Sequence, residues 1–233
     1  MKYIISLFLL AIGFAACQQL LEENPKDQVF VENFFQTEND ATAAVNSIYS
    51  ILNATSSAPT FGGVYFSTYW VTMGLCSDEM DNRLPAVDLN DLNSFTQKPV
   101  NSSLYDFWVL AYKGINNANF AIEGIPNIQA SDTYKNQRTG EARFLRAILY
   151  FDLTRWFGDV PMVVTQNGEL RPPRAPKAQV YAQIIDDLTF AEQNLPESYS
   201  AGNGLGRATR GAASGMLAKV FLYNNEWQKC VDQ

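Results

Sequence analysis

The sequence predicts a mainly α-helical protein in which tetratricopeptide-like helix pairs stack on one another, with long irregular loops and a small β-hairpin. Segments with apolar residues at three- and four-residue spacing run through most of the chain, which is typical of amphipathic helices. Two such segments end at Pro126 and Pro196, and each is followed by a second helical segment, so a helix pair is repeated. Hydrophobic residues make up 47% of the 233 residues, which is enough for a sizeable core.

The predicted helices follow from this periodicity and from the residues that break it. The first spans residues 33–52, where the apolar side chains fall on one face. The repeated pairs are predicted over residues 108–125, 134–157, 180–195 and 207–223. In the last of these, Gly211, Gly215 and Ala218 form a stripe of small residues, which predicts the close approach of a neighbouring helix. A further helix is predicted to begin near Gln228.

Within the predicted helix over residues 134–157, residues 141–157 carry apolar side chains around most of the circumference. A surface helix needs only one apolar stripe, so this pattern indicates an inner helix that packs on its own partner and on the next pair. Charged residues occupy the remaining gaps: Arg143, Arg146, Asp152 and Arg155. Trp156 and Phe157 are predicted to be core residues. Gly158 permits the turn that ends the helix, and Pro161 prevents its continuation.

Irregular segments separate the helices. Residues 53–63 are rich in Ser, Thr, Pro and Gly, which predicts a loop. Residues 81–103 have no period and many Asn and Asp residues. Structureless stretches of that length in a compact chain are more often functional than idle, so this one is a candidate ligand surface. Residues 160–165 and 169–171 flank an Asn167-Gly168 pair, which predicts a small β-hairpin.

The N-terminus has the pattern of an export signal that ends at a lipidation site. Lys2 supplies positive charge, an apolar run of about a dozen residues follows, and two alanines precede Cys17. The run is shorter than the roughly 20 residues that a membrane-spanning helix needs. We therefore predict a signal peptide over residues 1–16, an acylated Cys17, a tether over residues 17–32 and a helical domain over residues 33–233. Ordinary cleavage with an unmodified Cys17 is the alternative.

Charge and composition argue against several function classes. The 17 Lys and Arg residues against 24 Asp and Glu residues give a net charge of −7, and no basic run is present to neutralise phosphates, so nucleic acid is not expected as a partner. The absence of histidine removes the usual general base and most zinc sites, so we expect no metal and no cofactor. Cys76 and Cys230 can pair in an oxidising compartment, but free thiols are favoured.

Candidate ligand-binding residues lie between residues 65 and 83. Sugars bind against aromatic faces, while Asp, Asn and Arg hold their hydroxyl groups. The candidates are Tyr65, Tyr69, Trp70, Asp78, Asp81, Asn82 and Arg83. Core packing competes with the ligand role for the three aromatic residues, and a loop-capping role competes for Asp78 and Glu79. Arg83 is the preferred polar candidate, because Asn82 and Pro85 place it in the aperiodic stretch.

Several segments together resemble the SusD/RagB-like outer-membrane lipoproteins over essentially the whole chain. They are "FAAC", "EENPKDQVFVENFFQTENDATAAVNSIYSIL", "SDEMDN", "FWVLAYKGINNANFAIEGI", "GEARFLRAILYFDLTRWFGDVPMV" and "GRATRGAASGMLAKVFLYNNEWQKCV". The first resembles a lipobox, although Phe14 stands where Leu is usual. The resemblance implies a surface-exposed, lipid-anchored protein of the Gram-negative outer membrane. It also implies that the protein binds glycans and sits as a lid on a SusC-like TonB-dependent transporter.

Members of that family usually continue well beyond the second helix pair. We therefore expect this chain to be the N-terminal half of a longer member, whose C-terminal half is missing and helps to shape the ligand site. A helix pair without a successor leaves apolar residues exposed, so Val220, Phe221 and Trp227 are expected to face water.

Two other functions stay open on the sequence alone. The first is a helical-repeat scaffold that binds another protein and no small ligand. The second is a surface glycosidase, which needs two carboxylates facing each other across a cleft. Asp78, Glu79 and Asp81 are too close in sequence for that arrangement, so we expect no enzyme. The kind of glycan, and whether peptide replaces glycan as cargo, are left open.

Overall fold

The computed structural model describes residues 34–53, 63–200, 202 and 204–233. Its α-helices are α1 Glu38–Asn53, α2 Tyr69–Leu75, α3 Val87–Asn93, α4 Ser102–Gly124, α5 Asp132–Phe157, α6 Lys177–Asn194, α7 Arg210–Tyr223 and α8 Trp227–Asp232. A π-helical turn, Gly63–Thr68, precedes α2, and a 3-10 turn, Ile125–Asn127, follows α4. The predicted signal peptide, the lipidation site Cys17 and the tether lie outside the described residues.

The long helices stack in the order in which they follow one another, which confirms the predicted mainly α fold of stacked helix pairs. α4 packs on α1 and α5, α5 packs on α6, and α6 packs on α7. The inner helix α5 therefore contacts both its own partner and the first helix of the next pair, as its two apolar faces predict. The shared core includes Phe107, Leu110, Leu149, Phe151, Ile184, Leu188 and Leu217.

Local sequence signals set the ends of these helices. The side chains of Asn101, Ser131 and Thr209 accept hydrogen bonds from backbone N–H groups in the first turns of α4, α5 and α7. Helix α5 ends at Gly158, whose φ of 72° lies in the left-handed region that favours glycine. The predicted stop of the inner helix is thus confirmed.

The charged residues at the gaps of α5 join neighbouring helices. Arg146 is 3% exposed, and its Nε and Nη2 atoms donate to the two carboxylate oxygens of Asp187 in α6 at 2.8 and 2.7 Å. Its Nη1 donates to Asn119 Oδ1 in α4 at 2.7 Å. One guanidinium therefore connects three helices, and charge-assisted bidentate pairing satisfies the buried carboxylate.

The β-hairpin is present, but the predicted position of its strands is wrong. Strand β1, Val160–Pro161, pairs antiparallel with β2, Arg174–Ala175, well outside the Asn167-Gly168 turn. The reason lies in residues 163 and 164, whose backbone is already bonded to helices. Val163 N donates to the Tyr150 hydroxyl at 2.7 Å, and its carbonyl accepts from the Asn119 side chain at 2.9 Å. Strand pairing next to the Asn167-Gly168 turn would need these backbone groups and would have to break the bonds to the helices.

Part of the 81–103 stretch is helical, so the prediction that it lacks structure is wrong there. Helix α3 spans seven residues, and Leu89 and Leu92 pack with Leu75 in a small apolar cluster. Two buried leucines three residues apart are too few to reveal a helical period. The cluster fixes the loop after α2 against the rest of the chain.

Two expectations for the last helix pair are not met. No described residue comes within 4 Å of a Cβ atom placed at Gly211 or Gly215, so the small-residue stripe faces open space in the described part of the chain. Val220 and Phe221 are 0% and 8% exposed, although exposure was expected. They are buried in the core, and Lys229 of α8 lies over the Phe221 ring at 5.4 Å. Trp227 is exposed as expected.

Candidate functional site

Tyr65 and Tyr69 lie in a half-buried network against α5. The Tyr65 hydroxyl donates to Asp152 Oδ2 at 2.5 Å, and Arg155 Nη2 donates to the Tyr69 hydroxyl at 2.7 Å. Burial, reinforced by the Asp152 carboxylate, raises the pKa of Tyr65 well above its usual value, so this hydroxyl remains a donor. Both tyrosine hydroxyls are therefore engaged within the protein.

A cavity of about 320 Å³ lies beside this network. Its lining residues come from the π-helical turn, α2, α5 and α7, and they are Tyr65, Tyr69, Phe144, Ile148, Phe151, Asp152, Arg155, Met216 and Lys219. Asp152 and Arg155 form an ion pair with each other. The cavity wall is thus largely apolar, and its central charges are internally neutralised.

The remaining aromatic candidate, Trp70, has a different environment. Its side chain is 52% exposed, and its indole N–H donates to the Phe66 carbonyl at 2.6 Å within the same helical segment. The ring is therefore held in place while much of its surface stays accessible. Of the three aromatic candidates, Trp70 is the one that is exposed.

The polar candidates lie on the surface loop between α2 and α3. Asp78 is exposed, and Asp81 Oδ2 lies 3.7 Å from Arg83 Nε in an exposed ion pair. Such pairs contribute at most about 1 kcal/mol, so a ligand can recruit either partner at little cost. The Asn82 side chain donates to Asn90 Oδ1 at 2.5 Å and shapes the loop. The structure thus groups Asp81, Asn82 and Arg83 together and separates them from the tyrosine network.

A groove of about 510 Å³ is lined by both aromatic and cationic side chains. It lies where the segment before α4 meets the end of α5 and strand β2. The lining residues are Gln97, Lys98, Pro99, Leu104, Tyr105, Trp108, Phe157 and Arg174. Tyr105 is 64% exposed, and Trp108 is held by an edge-on contact with Phe157, with ring centroids 5.0 Å apart. We call this feature the Trp108 groove.

A smaller cavity of about 250 Å³ also has Trp108 in its lining. Its other lining residues are Tyr112, Pro161, Val163, Leu170, Arg171 and Pro172. Leu170 is 99% exposed, and Trp108 and Tyr112 lie with ring centroids 4.9 Å apart. Aromatic residues line both concavities.

None of the seven candidate residues lines the Trp108 groove, but Gln97, Lys98 and Pro99 lie in the 81–103 stretch that was the candidate ligand surface. Three segments build the groove, residues 97–108, the end of α5 and strand β2, and the β1–β2 pairing brings Arg174 opposite Pro161, close to the end of α5. One signal in the sequence pointed to it. Tyr105 falls outside the buried stripe of α4 that includes Asp106, Phe107 and Leu110, so a large aromatic side chain was placed on the solvent side of an amphipathic helix.

The largest of these concavities, about 630 Å³, lies between α1 and the segment that leads into α7. Its lining residues are Thr42, Asn46, Tyr49, Ser50, Asn53, Leu205, Gly206 and Arg207. Arg207 lies over the Tyr49 ring at 5.7 Å and pairs with the buried Glu141 at 2.7 Å. The aromatic face in this cavity is already covered by a guanidinium, which makes it a poorer sugar platform than the Trp108 groove.

Acidic and cysteine side chains are the remaining candidates for chemistry in the described ranges. No group of three or more His, Cys, Asp or Glu side chains there is arranged to hold a metal ion. Cys76 and Cys230 are free thiols, as favoured from the sequence, and burial raises the pKa of Cys76. None of the described helices has the length and apolar character needed to cross a membrane.

Comparison with known proteins identifies relatives along most of the chain. Residues 20–222 match a SusD-like family described as "Starch-binding associating with outer membrane". The SusD-like protein P2 of Formosa agariphila is 31% identical over the whole of this chain, which spans 45% of that relative. A SusD-like protein of Bacteroides ovatus is 25% identical over 93% of the chain, which spans 38% of that relative.

Solved structures share the fold. A SusD superfamily protein of Bacteroides vulgatus superposes with a TM-score of 0.75 at 27% identity, over 85% of this chain and 42% of its own. A laminarin-binding SusD-like protein gives a TM-score of 0.73 at 25% identity, over 84% of this chain and 42% of its own. The chain thus spans less than half the length of these proteins. On the extent of these matches, it belongs to the SusD-like family.

Proposed function

We propose that this chain is the glycan-binding part of a SusD-like surface protein and that the Trp108 groove contacts the sugar. The observation that carries the proposal is the joint presence of an exposed Tyr105, a positioned Trp108 and the polar side chains of Gln97, Lys98 and Arg174 along one groove. Aromatic faces pack against the apolar side of a pyranose ring, while amide and cationic groups donate to its oxygen atoms. The similar laminarin-binding structure supports carbohydrate as the ligand class.

We propose a secondary ligand surface on the loop that follows α2. Trp70, Asp78, Asp81, Asn82 and Arg83 are supported as contacts by their position at the surface and, for Asp81 and Arg83, by an ion pair that is easily exchanged for ligand. Tyr65 and Tyr69 are assigned a supporting role instead. Their hydroxyl groups bond to Asp152 and Arg155, so they fix the π-helical turn and α2 from which Trp70 projects.

We further propose that the protein is anchored in the outer membrane through acylated Cys17 and passes its glycan to a SusC-like TonB-dependent transporter. The family description, which associates its members with the outer membrane, supports the location. The lipobox-like end of the signal sequence supports the anchor. The relatives named above are described as SusD-like or ligand-binding proteins, and we accordingly propose binding without catalysis.

Replacing Tyr105 with Ala is expected to weaken oligosaccharide binding. Loss of an exposed aromatic platform costs about 1–2 kcal/mol, which corresponds to roughly 5- to 30-fold in Kd. The side chain is largely exposed, so the denaturation midpoint should stay close to that of the parent chain. Isothermal titration with a panel of neutral and acidic oligosaccharides gives both the ligand and the change in Kd.

Trp227→Ala is the matched control, because Trp227 is another exposed aromatic residue and lies on α8, outside the groove. It should leave the affinity within about twofold of the parent value. If the parent and the Tyr105→Ala chain bind every glycan with equal affinity, the groove is not part of the glycan-binding site. Binding of a protein or peptide with no glycan binding at all would favour the interaction scaffold instead.

A further inference from the structure

The cations of the Trp108 groove have no carboxylate partner. Lys98 and Arg174 line the groove itself, and Arg171 lines the smaller cavity that shares Trp108 with it. Within the ranges that the structure describes, none of the three takes part in an ion pair, and neither concavity is lined by Asp or Glu. This is unusual in a chain with a net charge of −7, where acidic residues outnumber basic ones.

Glu169 lies two residues from Arg171 and forms no ion pair within the described ranges. Two other carboxylates of neighbouring segments bond to backbone amides instead. Asp159 Oδ1 accepts from the backbone N–H of Lys177 at 2.8 Å, and Asp88 Oδ2 accepts from that of Ser102 at 3.2 Å. Both carboxylates therefore help to hold helix starts beside the groove. The three cations are left to interact with solvent or with a ligand.

The energetics of hydrogen bonding then distinguish two kinds of sugar. A cation that donates to a neutral hydroxyl contributes about 0.5–1.5 kcal/mol, whereas a bond to a charged group contributes about 1.5–3 kcal/mol. An arginine also binds carboxylate or sulfate through two parallel bonds, which a neutral hydroxyl cannot accept. Trp108 and Phe157, both half-buried, line the groove together with the exposed side chains of Lys98 and Arg174.

The negative charge of the whole chain acts in the opposite direction but over longer distances. At physiological ionic strength, the field of exposed charges is screened beyond about 8 Å. Charges in contact with the ligand therefore decide the affinity, while the overall charge mainly slows its approach. A local group of unpaired cations on an acidic protein is suited to an anionic ligand.

We propose that the ligand of the Trp108 groove is an acidic glycan, one whose sugar rings carry carboxylate or sulfate groups. The inference rests on the proposed function and adds the chemical class of the ligand. The ring stacks on Tyr105 and Trp108, and its anionic substituents pair with Lys98 and Arg174. Arg171 takes an anionic group one or more sugar units further along.

Titration of the chain with three tetrasaccharides tests the proposal. The probes are tetramannuronate for carboxylate, a sulfated carrageenan tetrasaccharide for sulfate, and cellotetraose as the neutral reference. At least one acidic probe is expected to bind ten or more times tighter than cellotetraose, and raising the salt from about 50 to 500 mM should weaken that binding severalfold. The preferred acidic probe shows which anionic group is recognised.

The variant Lys98→Gln with Arg174→Gln should lose ten-fold or more in affinity for the acidic probe and less than twofold for cellotetraose. Lys113→Gln with Lys135→Gln removes the same charge from outside the groove and should change neither affinity by more than about twofold. The melting temperatures of both double variants report whether folding is unchanged.

Two results overturn the inference and leave the proposed function in place. In the first, cellotetraose binds at least as tightly as both acidic probes, and Tyr105→Ala weakens this binding. The other is acidic binding that the Lys98 and Arg174 variant does not reduce. If no oligosaccharide of the wider panel binds, both the inference and the proposed function fail.

Discussion

Replacing Leu149 with Asp is expected to remove most of the free energy of unfolding. Leu149 is 0% exposed in α5, and its Cδ1 atom lies 2.6 Å from where a Cβ atom would stand at Gly114 of α4, so the two helices are closely packed there. Deleting a buried leucine costs about 2–5 kcal/mol, and an unpaired buried carboxylate adds several more. Because small proteins have only about 5–15 kcal/mol in total, urea denaturation followed by circular dichroism should show little or no folded baseline.

Val109→Asp is the control for this substitution, since it introduces the same side chain at a position of α4 that is 42% exposed. It should lower the free energy of unfolding by no more than about 1 kcal/mol. Similar denaturation midpoints for the two variants would mean that the two-faced packing of α5 is wrong.

Arg146→Ala is expected to destabilise the protein by about 3–5 kcal/mol, because it leaves the fully buried Asp187 carboxylate without its bidentate partner. The substitution also removes the bond to Asn119 that ties α4 to the same guanidinium. Arg210→Ala breaks the exposed pair with Glu197 and should cost at most about 1 kcal/mol. Thermal and chemical denaturation of the two variants gives this comparison directly.

The pH dependence of Arg146→Ala has a defined sign. Burial raises the pKa of Asp187 in the folded protein, and Arg146 lowers it in part, so removing Arg146 raises this pKa further. A raised folded pKa means that the folded state binds a proton more readily than the unfolded state. The destabilisation should therefore be greatest near neutral pH and should decrease as the pH falls through the folded pKa. If Arg146→Ala lowers the free energy of unfolding by the same amount at all pH values, the charge on Asp187 is not the cause.

The sequence was sufficient to predict the helix stack, and the inner helix shows why. The apolar pattern of residues 141–157 predicted two buried faces, and Gly158 predicted the end of the helix. The same pattern did not reveal that Arg146 is buried, because its partner Asp187 comes from the next helix. The sequence pattern is the same whether a charged residue on a helix faces water or pairs with an opposite charge from another helix.

Local turn chemistry was less reliable than helix periodicity. The Asn167-Gly168 pair suggested the hairpin turn, but the preceding backbone at Val163 bonds to the side chains of Tyr150 and Asn119. Long-range partners therefore moved the strand pairing to Val160 and Ala175. Turn preferences of a few tenths of a kcal/mol to about 1 kcal/mol are outweighed by several buried hydrogen bonds.

The candidate site was only partly predictable for the same reason. Trp70 and Arg83 lie at the surface, whereas Tyr65 and Tyr69 turn their hydroxyl groups toward α5. The Trp108 groove depends on three segments that are distant in sequence. Only the strand pairing and the end of α5 bring Arg174 and Phe157 beside Tyr105, and no spacing rule within one segment contains that information.

The central claim is that a glycan occupies the Trp108 groove, and an NMR titration that follows the backbone amide signals tests it most directly. An oligosaccharide that the chain binds should shift signals from residues 97–108, 157 and 170–175 first and most strongly. Smaller changes are expected on the loop around Arg83. Shifts confined to the cavity lined by Tyr49 and Arg207, with the groove signals unmoved at saturation, would contradict the account.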